Sequence, residues 1–281
     1  MIKTAIAIAC SITLTCGALQ AQGLKVPAPS TTQTIKQDFG LGNIELSYSR
    51  PNTKNRKIFG DLVPFDKVWR TGANGATTLT FSDDVIIGGK AIPAGKYGLL
   101  TIPSQKEWTI IITKQLDVTS PSAYKEDQDV VRVSAKPMTM PQKCETFLMQ
   151  FDEITNTSCN LWIMWDKTIV ALPIKTDIDG KVMAQIDAAM KTDKPPYFNA
   201  AMYYMETGKD LKQAQEWFAK AAELNPKFFW VWHQKANAEA KLGMKKEAIA
   251  SATESLKLAQ EAKNPDYVAL NEKLLKQLGA K

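Results

Sequence analysis

The sequence predicts an α+β protein of two domains, an antiparallel β-sandwich or barrel followed by an all-α domain of stacked helical repeats. Three observations carry this expectation. Between residues 34 and 175, apolar residues alternate with polar ones along short segments, the period of half-buried strands. Near Asp177 the period lengthens to that of an amphipathic helix. Within the helical part a pattern returns after 34 residues: Ala214, Phe218, Ala221 and Pro226 are followed at that spacing by Ala248, Ala252, Ser255 and Gln260, and Phe198 by Trp232. Small residues facing a bulky knob at fixed spacing let helix pairs stack.

Taken in order, residues 1–21 read as a signal peptide. Lys3 precedes an apolar stretch from Ala5 to Leu19, and Ala21 supplies a small residue at the cut. The stretch is too short and too poorly flanked to span a bilayer. Lipid anchoring through Cys16 is the rival reading, and Thr13-Leu14-Thr15 is a poor lipobox. The expected location is therefore outside the cytoplasm, periplasmic or secreted. Residues 22–33 read as a tether.

The β domain is expected over residues 34–175. Ile44, Leu46 and Tyr48 alternate, as do Thr77, Leu79 and Phe81. Val85–Ile87 and Lys90–Ile92 flank Gly88-Gly89, a two-residue hairpin signal. Tyr97–Ile102, Trp108–Thr113, Val130–Val133, Cys144–Asp152, Cys159–Asp166 and Ile169–Ile174 complete the set. In the hairpin of the two cysteine strands, Cys144 falls opposite about residue 167, and the alternation turns Cys144 and Cys159 to opposite sides. Both thiols are expected to be free.

The helical domain is expected over residues 177–281. Val182, Ile186, Ala189 and Met190 share a face, with Asp179 expected to cap that helix. Phe198–Met205 with Leu211–Leu224, and Phe229–Leu242 with Lys246–Glu261, form two helical hairpins. Asn264-Pro265 is an N-cap followed by proline at the first helical position, and Tyr267, Leu270, Leu274 and Leu278 form the inner stripe of a closing helix. This 34-residue pattern resembles the tetratricopeptide repeat, in degenerate form. That resemblance implies a platform for a protein partner, with Tyr204, Trp230 and His233 as partner-binding candidates.

The chain has 281 residues, 44% hydrophobic and 23% charged, with a net charge of +6. Its C-terminal lysines are interleaved with glutamates, which gives a solvated surface and excludes a nucleic-acid groove. Asp177-x-Asp179-Gly180 imitates part of a calcium loop, but Ile186 stands where the bidentate glutamate belongs. The sole histidine, His233, has no metal-ligand spacing around it, and no G-x-S-x-G, G-x-G-x-x-G or Walker loop occurs. The reading therefore assigns no cofactor, no metal and no catalytic residue.

The segment from Arg50 to Gly75 carries neither period. Long irregular connections inside compact domains are usually functional. Ile58, Phe59, Leu62, Val63, Phe65 and Trp69 ask for burial, while six basic residues face two acidic ones. Arg50, Arg56, Arg70, the Asn74 amide and backbone amides near Gly72 and Gly75 suit a small anionic or glycan ligand. The alternative pairs Arg50 and Arg70 with Asp61, Asp66 or buried carbonyls.

Tyr48-Ser49-Arg50-Pro51, Arg56, Gly60, Trp69–Asn74, Ile92–Tyr97 and Glu107-Trp108 resemble the bacterial family known as domain of unknown function 2911, over about residues 30–175. Asp129-Val130-Val131-Arg132 matches a further segment. The resemblance implies an exported protein and implies no reaction. It adds Tyr48, Tyr97, Trp108 and Arg132 to the ligand-binding candidates. Ser120-Pro121-Ser122 departs from the pattern, standing where the family often carries a Trp-Gly pair. The expected function is a non-enzymatic ligand- or protein-binding module of the cell envelope. One alternative is an envelope hydrolase or lyase acting on an anionic substrate at Arg50–Asn74, with Asp61, Asp66 or Tyr97 as acid–base groups. A purely structural β domain is the other.

Overall fold

A computed structural model describes residues 26–280. The signal peptide, its cut at Ala21 and Cys16 lie outside the described residues. The chain divides into two compact units, one ending at Thr176 and the other beginning at Asp177.

Among its described residues the first unit holds ten strands: β1 (Thr31–Phe39), β2 (Gly42–Arg50), β3 (Thr77–Phe81), β4 (Val85–Ile87), β5 (Lys90–Ile92), β6 (Gly95–Ile102), β7 (Trp108–Thr113), β8 (Asp129–Ala135), β9 (Met138–Asp152) and β10 (Ser158–Lys175). They form two antiparallel sheets, a six-stranded one in the order β1-β2-β3-β6-β7-β8 and a four-stranded one in the order β5-β4-β10-β9. The barrel alternative falls away, because β1 and β8 end their sheet without pairing to each other. Inward side chains of both sheets make one core: Leu46, Leu79, Leu99 and Ile110 from one, Phe147, Leu161, Val170 and Leu172 from the other, all fully buried. Alternation dictates this, since every second residue of a strand meets the opposing sheet.

The first strand begins at Thr31, ahead of the expected start at residue 34, and pairs with β2 from Thr31↔Arg50 onward. Gly88 and Gly89 both take positive φ, 58° and 79°, as a tight hairpin turn between β4 and β5 requires. The expected Cys159 and Ile169 strands are one continuous strand. Asp166, at φ 52°, sits between two register shifts against β9. That bulge moves the inward side from Leu161 and Ile163 to Val170, Leu172 and Ile174. Cys144 pairs in register with Asp166, Cys159 is buried, and both thiols are free. Burial pushes the Cys159 thiol up to about 11.

Among its described residues the second unit holds six helices: α1 (Asp179–Ala189), α2 (Tyr197–Glu206), α3 (Leu211–Leu224), α4 (Phe229–Lys241), α5 (Lys245–Glu261) and α6 (Pro265–Gln277). From α2 onward each packs on the next. The repeat residues are what allow close approach: Ala214 and Phe218 pack with Ala201 and Ala238, and Ala252 packs with Ala236 and Leu274. Asp210 caps α3 through the Lys212 and Gln213 amides, and Asn264 caps α6 through the Tyr267 amide.

Two expectations in this unit are corrected. Asp179 does not cap α1; its amide donates to Asp177, and its carboxylate accepts from Lys209 Nζ at 2.8 Å and Tyr203 Oη at 2.8 Å. Leu270 is 44% exposed, and Asn271 takes the inner position instead, fully buried. Among the described residues no helix is long and apolar enough to cross a membrane.

Candidate functional site

The segment between β2 and β3 folds because it is stitched to both sheets. Thr53 N–H donates to Glu145 O at 2.8 Å, and Phe147 N–H donates to Pro51 O at 2.8 Å, tying its start to β9. Trp69 and Thr101 exchange backbone bonds at 2.7 and 2.9 Å, tying its end to β6. Between these ties Ile58 and Val63 enter the core, and Phe59 and Trp69 join an aromatic cluster with Trp108, Phe147 and Trp165. Trp69 stacks on Trp165 at 5.8 Å and 15°. Lys54, Asn55, Asp66, Thr71 and Asn74 all have positive φ, so the path follows tertiary ties rather than local propensity.

Glu145 anchors the start. Its carboxylate accepts from Thr53 Oγ1, the Lys54 amide at 2.8 Å and Lys143 Nζ at 3.0 Å. The Thr53 hydroxyl, then the Lys54 amide and Lys143, hold it down from its ordinary 4.5 to about 2. A depressed carboxylate contributes stability above its unfolded value and loses it as the pH falls through the folded one. The acid limb of unfolding between about pH 4.5 and 2 should therefore flatten in Glu145→Gln, followed by tryptophan fluorescence against pH. An unchanged limb would mean that this anchor does not form.

Over the stitched segment lies a cavity of about 390 Å³. Arg56, Lys67 and Arg70 line it, with no carboxylate among its described lining residues. Its remaining wall is largely apolar, from Leu62, Val63, Pro64, Val68, Trp69 and Trp165. Thr119, Ser120 and Pro121 close one side, so the segment that departs from the family pattern faces this cavity.

The arginines bond to carbonyls, not to Asp61 or Asp66. Arg56 Nε donates to Thr53 O at 3.0 Å and its Nη2 to Asn52 O at 2.7 Å. Arg70 Nη1 donates to Thr119 O at 2.5 Å, while its Nε is buried with no acceptor among the described residues. Arg50 Nε donates to Phe147 O at 3.0 Å, outside the cavity lining.

Of the eight ligand candidates, only Arg56 and Arg70 meet here. Asn74 spends its amide on Ser30 O and Ser49 Oγ, at 3.1 and 3.3 Å. Tyr48 and Trp108 are corrected to core side chains, 2% and 1% exposed, which no ligand reaches without repacking the sheets. The Tyr48 hydroxyl accepts from the Met149 amide at 2.9 Å and so clasps β2 to β9. Tyr97 is likewise buried and donates to Pro93 O at 2.9 Å. Arg132 lies in a separate cluster with Asp129 at 2.8 Å, Glu126 at 3.2 Å and the Tyr124 hydroxyl. Burial and the Asp129 hydrogen bond push the Tyr124 hydroxyl up to about 12. Lys67 was legible only as part of the segment's charge excess, and Trp165 and Thr119 not at all, since they arrive from distant parts of the chain.

The family model described as "Protein of unknown function (DUF2911)" matches residues 30–174. The chain belongs to this family. Its helical unit matches the tetratricopeptide repeat over residues 195–228 and 231–261. No curated protein matches the chain. The stitched segment, the cavity and every strand but the last residue of β10 fall within the DUF2911 match.

In the repeats beyond the DUF2911 domain, the three partner candidates separate. Tyr204 packs edge-on against Trp217 at 4.7 Å, and Trp230 stacks on Phe228 at 4.4 Å. His233 is corrected to a packing residue: it is 7% exposed and its Nδ1 lies 2.8 Å from Asn271 Oδ1. The apolar surface lies instead at Phe228, 42% exposed, and Leu224, 66% exposed. Leu224 is the last residue of α3 and Phe228 the N-cap of α4; the helical period placed Leu224 in its helix but did not show that it faces outward.

Proposed function

We propose that this is an exported, non-enzymatic binding protein of the cell envelope. Its DUF2911 domain holds a small anion-bearing ligand, and its tetratricopeptide tail docks a protein partner. The observation that carries the reading is the cavity itself, where Arg56, Lys67 and Arg70 gather without a compensating carboxylate in the lining. Arg56 and Lys67 are exposed and Arg70 half-buried, and like charges gathered at one opening repel one another until an anion offsets them. The residues named for the hydrolase or lyase alternative do not line the cavity: Asp61, Asp66 and Tyr97 are absent from its wall. The tail's exposed Leu224 and Phe228 beside Trp230 support docking through the repeats. Export rests on the leader read in residues 1–21.

Titration of the purified mature protein with a panel of anionic and neutral small molecules and sugars tests the ligand half. Anions should bind, more weakly as ionic strength rises, and Arg56→Ala/Lys67→Ala should weaken them further. Equal affinity for neutral compounds, or no binding at all, would refute it.

A further inference from the structure

We infer that the ligand of this cavity is a carboxylate carried on an apolar body, an aromatic or short acyl acid, with Arg70 reading the carboxylate. The inference rests on the anion-binding reading above and narrows it to one chemical class.

The guanidinium of Arg70 is half committed. Its Nη1 is held by Thr119 O at 2.5 Å, which fixes the plane of the group. That leaves the opposite edge, Nε with Nη2, without a bond to any described residue. Two parallel N–H groups on one edge match the two oxygens of a planar carboxylate. A buried donor without an acceptor is costly, and an arriving carboxylate removes that cost while gaining a charge-assisted pair. Arg56 is arranged differently. Its Nε and Nη2 already hold Thr53 O and Asn52 O, so it supplies positive charge rather than a free fork.

The rest of the wall selects the body of the ligand. Leu62, Val63, Pro64, Val68 and Trp69 offer apolar surface in the same cavity that Arg70 lines. Hydroxyl partners are few: Ser30, Thr119 and Ser120 are the hydroxyl-bearing lining residues, and Ser120 Oγ already lies 3.0 Å from Ser122 Oγ. A sugar acid would bury several hydroxyls against this wall with too few partners. An apolar carboxylic acid satisfies both ends, and a cavity of about 390 Å³ is of the size that takes a small molecule.

Calorimetric titration of the mature protein with benzoate, hexanoate, benzamide, glucuronate and inorganic phosphate tests this. Benzoate and hexanoate should bind and benzamide should not, since it lacks the charge. Arg70→Lys keeps the charge but loses the fork, and should weaken benzoate about tenfold or more. Benzoate affinity untouched by Arg70→Lys in a folded variant overturns the assignment. If that variant does not fold, the benzoate–benzamide pair on the unaltered protein decides: equal affinities sink the inference. Binding of phosphate or glucuronate in preference to benzoate refutes the apolar acid alone, whereas silence toward every anion removes the anion-binding reading too.

Discussion

Trp165→Ala should destabilise the β unit by about 3–5 kcal/mol, the range for emptying a buried aromatic site. Trp165 is 2% exposed and touches Trp69, Phe147 and Phe59 at centroid distances of 5.8, 5.6 and 6.4 Å. Its indole N–H donates to Glu145 O at 3.3 Å. Rigid rings contributed by both sheets and by the stitched segment cannot collapse into the space it leaves. The substitution therefore acts on the core and on the cavity wall at once. Trp162, three residues earlier in β10 and on its other face, is the control: it is only half-buried, and Trp162→Ala should cost much less. Urea unfolding followed by the near-ultraviolet aromatic signal compares the two. Equal losses would contradict the alternation assigned to β10.

The contrast shows what was legible in this chain. Strand alternation and the Gly88-Gly89 turn are local facts, so β2, β3, β4 and β5 could be read directly. The bulge at Asp166 could not, because Asp166-Lys167 breaks the alternation locally and only pairing with β9 carries the strand through. Charge excess on the Arg50–Gly75 segment pointed to the region of the cavity. It did not separate Arg70, which keeps a free edge, from Arg50, which turns to Phe147 O. Tyr48 and Trp108 were drawn to the ligand side by standing in family segments, yet a clasp between β2 and β9 uses the same residue types as a binding surface. In the tail, the cap at Asn264-Pro265 followed from two adjacent residues. The inward turn of Asn271 did not, because its partners come from α4 and α5.

That inward asparagine carries the second large effect. Asn271 Nδ2 donates to Tyr267 O at 2.7 Å and to Ser255 Oγ at 2.8 Å. A carbonyl only accepts, so the Tyr267 bond fixes which way the amide points and leaves Oδ1 facing His233. His233 Nδ1, 2.8 Å away, must then carry the proton. Ser255 passes its own proton on to Phe229 O at 2.7 Å. One polar chain thus joins α4, α5 and α6. Asn271→Leu keeps the branched shape, with bulkier methyl groups, but strands a buried N–H on His233 and a lone pair on Ser255. It should cost about 2–4 kcal/mol, read by urea unfolding followed through helix ellipticity. His233→Phe/Asn271→Leu removes both ends of the longest link, and should recover part of that loss, since two apolar replacements leave no stranded donor. Nitrogen NMR of the unaltered protein should find a proton on Nδ1 of His233, facing Asn271 Oδ1. An unprotonated Nδ1, or a double variant no more stable than Asn271→Leu, would mean that the bond does not hold the closing helix.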